Sequence, residues 1–270
     1  MSRYEEMFKE LKKKKEGALI TFVTVGDPNA EQSGKIIQKL VDSGADALEL
    51  GFAFSDPLAD GPVIQAANQR ALKAGMNVGK AIGIIAEIRK NNQSIPIGLL
   101  VYCNLVYNYG IEKFYKGIKA AGIDSVLIAD LSLEESATYV SEAGKNGISQ
   151  IFMVAPATTD KRLKLIVEKA EGFIYLVSVA GTTGARSEIG ESTLRFIRKT
   201  RKATDLPLCV GFGISMPEHV SEVLSNGADG AIVGSAIGKL IEENLGKDGK
   251  MLSDIACFAE KLKAATKNKQ

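Results

Sequence analysis

A short unit recurs along the chain and limits its fold more than any other feature. It consists of Gly, a small or apolar residue, often Asp, and then a β-forming apolar run. The copies are Gly44-Ala45-Asp46-Ala47-Leu48-Glu49-Leu50, Gly122-Ile123-Asp124-Ser125-Val126-Leu127-Ile128, Gly147-Ile148-Ser149-Gln150-Ile151-Phe152-Met153 and Gly227-Ala228-Asp229-Gly230-Ala231-Ile232-Val233. A stretch with helical spacing precedes each copy, anchored by Leu40 and Val41, by Ile118, by Val140, and by Val223 with Leu224. Glycine ends a helix in the left-handed conformation, and the apolar run suits a strand buried on both faces.

Further strands are expected at Ala18–Thr24, Ile95–Val101, Phe173–Val177 and Pro207–Val210, which with the four repeats gives eight. No Pro/Gly/Ser-rich linker divides the 270 residues. An eightfold βα alternation at this length predicts an α/β chain forming one closed (β/α)8 TIM barrel over residues 1–270. A doubly wound open sheet is the structural alternative. A helix with Tyr4, Met7, Phe8 and Leu11 on one face precedes the first strand and is expected to cover the barrel bottom. Lys12 to Lys15 reads as its solvated end.

The net charge of +2 gives no argument for nucleic acid or an anionic membrane as partner. The first residues, MSRYEEMFKE, are charged and lack the apolar stretch of a signal peptide, and no apolar run approaches the length of a membrane span. Cys103, Cys209 and Cys257 form no C-x-x-C pair, and a reducing cytoplasmic compartment is expected. The single histidine, His219, follows Met216-Pro217-Glu218 at an expected helix start and reads as a surface residue. A histidine-rich metal site is therefore not available.

The repeats permit a comparison inside the chain. Three residues beyond the Asp46-type position, the sister copies carry Leu127, Phe152 and Ile232, whereas the first carries Glu49. A carboxylate where sister strands keep core residues must be hydrogen-bonded, paired or protonated. Desolvation raises its pKa toward the range of a general acid or base. The alternative is a buried glutamate satisfied by backbone or a tyrosine. The next loop, Gly51-Phe52-Ala53-Phe54-Ser55-Asp56-Pro57-Leu58-Ala59-Asp60-Gly61-Pro62, is long, apolar and carries two acids. Asp60 could cap the helix that Pro62 begins, and Asp56 could form a turn. Residue patterns do not choose between them.

Two glycine segments follow the last two strands: Gly211-Phe212-Gly213-Ile214-Ser215 and Gly234-Ser235-Ala236-Ile237-Gly238. Loops at these places in barrels often bind phosphate through backbone N–H groups and a helix N-terminus. Together they mark a candidate phosphate site; singly each would be an ordinary turn. A third stretch, Ala180 to Ser187, has the composition of a lid, and Gly184 could add a donor. No lysine lies at a strand end for Schiff-base chemistry; the ends carry Glu49, Val101, Asp130, Val154, Ser178, Gly211 and Gly234. Carboxylate acid–base chemistry remains. Asp130 is a further acid, either a binding group or a cap for a helix starting near Ser132.

Six segments, LELGFAFSDPLADGP from Leu48, IPIGLLVYCNLVYNYG from Ile95, SVLIADLSLEES from Ser125, GTTGAR from Gly181, GFGIS from Gly211 and GADGAIVGSAI from Gly227, resemble the tryptophan synthase alpha chain family over essentially the whole chain. The SDPLADGP run is the specific one. The resemblance implies a lyase that cleaves indole-3-glycerol phosphate by a retro-aldol step to indole and glyceraldehyde 3-phosphate. It implies that Glu49 protonates the ring carbon and then takes the side-chain hydroxyl proton, while Asp60 accepts the indole N–H. By the same resemblance Phe22, Leu100, Leu127 and Phe212 wall the indole pocket, and Gly184, Gly213, Gly234 and Ser235 cradle the phosphate. Tyr175 supports the glutamate and Thr183 is the lid residue that meets the aspartate. The chain itself is expected to carry no cofactor and no metal. Its implied partner is a beta chain bearing pyridoxal phosphate, in an αββα tetramer for L-tryptophan synthesis. The Asp56 loop and the Asn104–Asn108 segment resemble the contact surface. Ala53, Val179 and Cys103 stand where the family commonly has proline, arginine and alanine. A free-standing lyase and a catalytically idle barrel that only activates the beta chain are the competing readings.

Overall fold

The computed structural model describes residues 1–177, 189–211 and 213–267. Eight parallel strands form a closed barrel in sequence order: β1 Ala18–Thr24, β2 Ala47–Gly51, β3 Ile97–Val101 and β4 Ser125–Ile128, then β5 Ser149–Val154, β6 Ile174–Val177, β7 Leu208–Gly211 and β8 Gly230–Val233. The helices are α1 Arg3–Lys14, α2 Ala30–Asp42, α3 Pro62–Lys73, α4 Val78–Asn91, α5 Cys103–Tyr109 and α6 Ile111–Ala120. They continue with α7 Ala137–Lys145, α8 Asp160–Lys169, α9 Glu191–Arg201, α10 Pro217–Ser225, α11 Ser235–Glu243 and α12 Asp248–Ala265. The expected (β/α)8 barrel is thus observed.

The repeat has a physical purpose at the barrel bottom. Its four glycines take positive φ, from 61° at Gly147 to 100° at Gly227, and turn each helix into the next strand. Its aspartates tie that strand to the one before. Asp46 accepts the Leu19 N–H at 2.7 Å and pairs with Lys263. Asp124 accepts the Ile97 N–H at 2.8 Å and pairs with Arg3 and Arg89. Asp229 accepts the Leu208 N–H at 2.9 Å and pairs with Arg201.

Strand residues alternate between two cores. The inner one holds Ile20, Phe22, Leu100, Leu127, Ile151, Tyr175, Cys209 and Ile232. The outer one lies between sheet and helices and includes Leu48, Leu50, Leu99, Val126, Phe152 and Leu176. Phe152 corrects the comparison drawn from the repeats: Ile151, not Phe152, pairs with Leu127 and faces the interior. Strand β5 begins at the third residue of its copy, whereas β2, β4 and β8 begin at the fourth. A slip of one residue sends a side chain to the opposite face.

As expected, α1 seals the bottom, with Tyr4 and Leu11 in the inner core and Met7 and Phe8 packed against it. The Tyr4 and Ser125 hydroxyls lie 3.0 Å apart. Gly98 makes room for them, since a Cβ there would stand 2.8 Å from the Tyr4 oxygen and 2.6 Å from that of Ser125.

Candidate active site

The C-terminal ends of the strands surround a cavity of about 300 Å³. Its walls include Phe22, Glu49, Asp60, Leu100, Tyr175, Gly213, Gly234 and Ser235, eight residues singled out from sequence. Leu127 is buried in the inner core but does not line the cavity. Phe212, Thr183, Gly184 and Val179 lie outside the described residues.

Strand pairing puts Glu49 between Phe22 and Gly98 on the inner face of the barrel. The side chain is 4% exposed, and its Oε2 is buried with no hydrogen-bond partner. Burial, and secondarily the charge of Asp60, pushes its pKa up to about 8. Glu49 is therefore largely protonated at neutral pH. Tyr175, opposite on β6, is also buried, and its hydroxyl is held in the neutral form by burial and by Glu49.

The structure separates the two loop acids. Helix α3 takes Gly61 as its N-cap and has no side-chain cap bond, so Asp60 does not cap it. Asp60 lines the cavity, where Asn68 Nδ2 donates to its Oδ2 at 3.2 Å and the Tyr102 hydroxyl also favours its charged form. Burial raises the Asp60 pKa, and these two donors oppose the rise. Asp56 is exposed and held by the Ser55 hydroxyl.

Asp130 is neither a wall of the cavity nor a cap for the helix after its own strand. Its Oδ1 accepts the Cys103 N–H at 2.7 Å, at the start of α5. The residues after Ser132 form turns, and α7 begins only at Ala137. Cys103 Sγ lies 2.9 Å from the Tyr139 hydroxyl, and Ala53 packs against the outer core.

At the other end of the cavity, Gly234 starts α11 without a side-chain cap. Bare N–H groups of the first helical turn are thereby available to an anion. A Cβ on Gly234 would lie 2.9 Å from the Phe22 ring, and one on Gly51 would lie 2.7 Å from it. The two glycines leave the space that the Phe22 ring fills. Gly213 has φ 76°, which only glycine adopts readily.

His219 corrects the sequence reading. It is buried, and its Nδ1 accepts the Ser215 N–H at 3.3 Å, which ties the Gly213 loop to α10. The first turn of α10 faces inward here, since Val220 beside it is buried too. Tyr102, Asn68, Val63, Ile64 and Ile214 were not singled out from sequence. Tyr102 was within reach of that reasoning, being the residue immediately after the β3 strand end.

Among the described residues no cluster of His, Cys, Asp and Glu could hold a metal ion, and the cavity walls include no lysine. No described helix is long and apolar enough to cross a membrane. A closed βα barrel with a carboxylate pair, one of them protonated, in a cavity at its C-terminal face defines a barrel enzyme built for acid–base chemistry.

The particular family follows from comparison. The family model described as tryptophan synthase alpha chain matches residues 8–267. The tryptophan synthase alpha chain of Photobacterium profundum is 49% identical over 99% of this chain and 99% of its own. That of Shigella dysenteriae is 46% identical over 99% and 100%. The crystal structure of the Legionella pneumophila subsp. pneumophila alpha chain superposes with a TM-score of 0.91 at 31% identity, covering 99% of this chain and 98% of that one. The chain belongs to the tryptophan synthase alpha chain family. It is a lyase of tryptophan biosynthesis, the alpha subunit that cleaves indole-3-glycerol phosphate, and the family implies a beta-chain partner.

Proposed function

We propose that Glu49 and Asp60 divide the acid–base work of this cleavage. Protonated Glu49 gives its proton to the indole ring carbon that bears the side chain. The positive charge that this leaves on the ring is met by Asp60, which accepts the indole N–H. Glu49, now a carboxylate, takes the proton of the adjacent side-chain hydroxyl. The carbon–carbon bond breaks and its electron pair returns to the ring, releasing indole and glyceraldehyde 3-phosphate. Proton given and proton taken balance, and no redox partner is needed.

One observation carries this reading: a buried carboxyl of raised pKa, its Oε2 without a partner, shares a cavity with a second acid that has two donors. Phe22, Leu100 and Ile232 supply apolar wall for an indole, with Leu127 behind them in the inner core. Gly213, Gly234, Ser235 and the amides of the α11 first turn receive the phosphate, and Tyr175 limits the room available to Glu49. Glu49→Gln tests the assignment. Its turnover of indole-3-glycerol phosphate is expected to fall by about two to four orders of magnitude. Near-normal turnover would refute the role of Glu49.

The chain needs no cofactor of its own in this scheme. Pyridoxal phosphate resides on the beta chain, and two copies of each chain form the tetramer. Leu58 in the loop after β2, at 95% exposure, and Tyr107 on α5, at 69%, are large apolar groups suited to a partner surface. Adding a beta chain is expected to raise cleavage strongly. An isolated chain that is already fast and elutes alone would instead identify a free-standing lyase. The cytoplasm suits three free cysteines, one of them exposed.

A further inference from the structure

Tyr102 follows β3 and is the N-cap residue of α5, yet it forms no side-chain cap for that helix. Its side chain is turned to the loop that follows β2. There it engages three residues at once. Its ring stacks on Phe54 with centroids 5.1 Å apart and planes 29° apart. Its hydroxyl oxygen accepts the Ala59 N–H at 3.1 Å. The same hydroxyl acts on the Asp60 carboxylate and favours its charged form. Asn68, 3% exposed on α3, donates to Asp60 Oδ2 from the other side.

We propose that Tyr102, assisted by Asn68, is the positioning residue that aims Asp60 into the cavity and keeps it charged. The inference rests on the proposed role of Asp60 and adds what sustains that role. Two acids in one dry cavity repel each other, so one of them must hold a proton. Glu49 has no donor on its buried Oε2, whereas Asp60 has two donors. The donors decide which acid is ionised. They also fix its direction, because the tyrosine grips the preceding residue, Ala59, by its backbone.

The titratable groups facing this pair come from four elements. Glu49 on β2 and Tyr175 on β6 feel Asp60, and Tyr102 feels Asp130, which follows β4. The acid on the loop itself, Asp56, is exposed. Among the described residues no lysine, arginine or histidine lines the cavity, so hydrogen bonds are what stabilise the charge of Asp60.

Tyr102→Phe keeps the ring on Phe54 and removes only the hydroxyl. The full chain would be assayed for indole release across pH. Loss of the donor makes Asp60 easier to protonate, so the acid limb of kcat/KM moves up by roughly one pH unit, the worth of a hydrogen bond to a charged group. At the alkaline limb Asp60 is still ionised, so that limb stays where Glu49 sets it. The bell narrows from its acid side, while kcat falls about tenfold and KM changes little, as expected for one lost acid–base interaction.

A uniform loss of activity with both limbs unmoved would mean that Tyr102 only braces the loop, and would overturn the inference, as would an unchanged profile. Asn68→Ser removes the other donor and is read in the same way should the Tyr102 variant not fold. Asp60→Asn separates the two levels of argument. If that variant stays active, the role of Asp60 itself fails. If it is inactive while Tyr102→Phe matches the parent profile, only the positioning role fails.

Discussion

A Cβ on Gly211 would lie 2.1 Å from the Tyr175 hydroxyl oxygen and 2.4 Å from the ring carbon bearing it. The tyrosine of β6 stands over a glycine at the end of β7, and no side chain of any size fits beneath it.

Gly211→Ala therefore has to displace a buried ring that borders Glu49. The overpacking is expected to cost about 1–3 kcal/mol and to lower turnover with it. Combining it with Tyr175→Leu, which shortens the side chain, should return part of the lost stability. Urea midpoints of the two single variants and the double variant form the test, and strictly additive costs would show that the two residues do not collide.

Glu49 makes stability depend on pH. Its pKa is raised from 4.5 to about 8 on folding. Between these values the unfolded chain has released a proton that the folded chain keeps, so stability falls as pH rises through this window. Glu49→Gln removes the effect. Relative to the parent it should gain roughly 3–5 kcal/mol more at pH 8.5 than at pH 4. Equal differences at the two pH values, measured by urea unfolding, would mean that the carboxyl titrates normally.

Ser235 begins α11, where the helix dipole welcomes an anion whether it comes from ligand or side chain. Ser235→Asp is expected to stabilise the fold by about 0.3–1 kcal/mol and to raise KM roughly tenfold or more through repulsion of the phosphate. Opposite movements of Tm and affinity are the signature. An unchanged KM would move the phosphate elsewhere.

The barrel bottom should respond in stability alone. Asp124→Ala leaves Arg89, whose side chain is 8% exposed, without its carboxylate, and strips the acceptor from Ile97. Breaking a buried pair in this way costs about 3–5 kcal/mol. The folded fraction should keep its kcat, since Asp124 lies at the end of the barrel opposite the cavity. A large drop in kcat for material shown to be folded by circular dichroism would contradict this separation.

Sequence patterns reached the barrel because each Gly-x-Asp copy encodes a helix stop, a staple and a buried strand within a few residues. Glu49 was legible for a related reason, as a departure from a pattern the chain itself repeats. Phe152 misled because the Gly147 copy lacks the aspartate and enters its strand one residue early. Asp60 could not be separated from Asp56, since whether a carboxylate caps a helix depends on where the chain turns. Asn68 looks like any polar residue of a helix face until α3 is docked beside the cavity. Asp130 bonds the Cys103 N–H, which only the pairing of β3 with β4 brings near. His219 was misread because its bond to the Ser215 N–H and the inward turn of α10 leave no mark on the residue pattern.

Helices α3 and α11 both open onto the cavity through glycines, Gly61 and Gly234, and neither has a side-chain cap or an acid in its first turn. Among the described residues, the cavity walls include no lysine, arginine or histidine. A phosphate dianion entering there meets amide donors that cannot titrate, together with two carboxyls that can. Its charge then strengthens the hold of Glu49 on its proton, because a new anion nearby always favours the neutral acid. In the proposed scheme, substrate binding and the protonated state of Glu49 therefore reinforce each other, and the general acid holds its proton more firmly once the molecule it is to protonate has arrived.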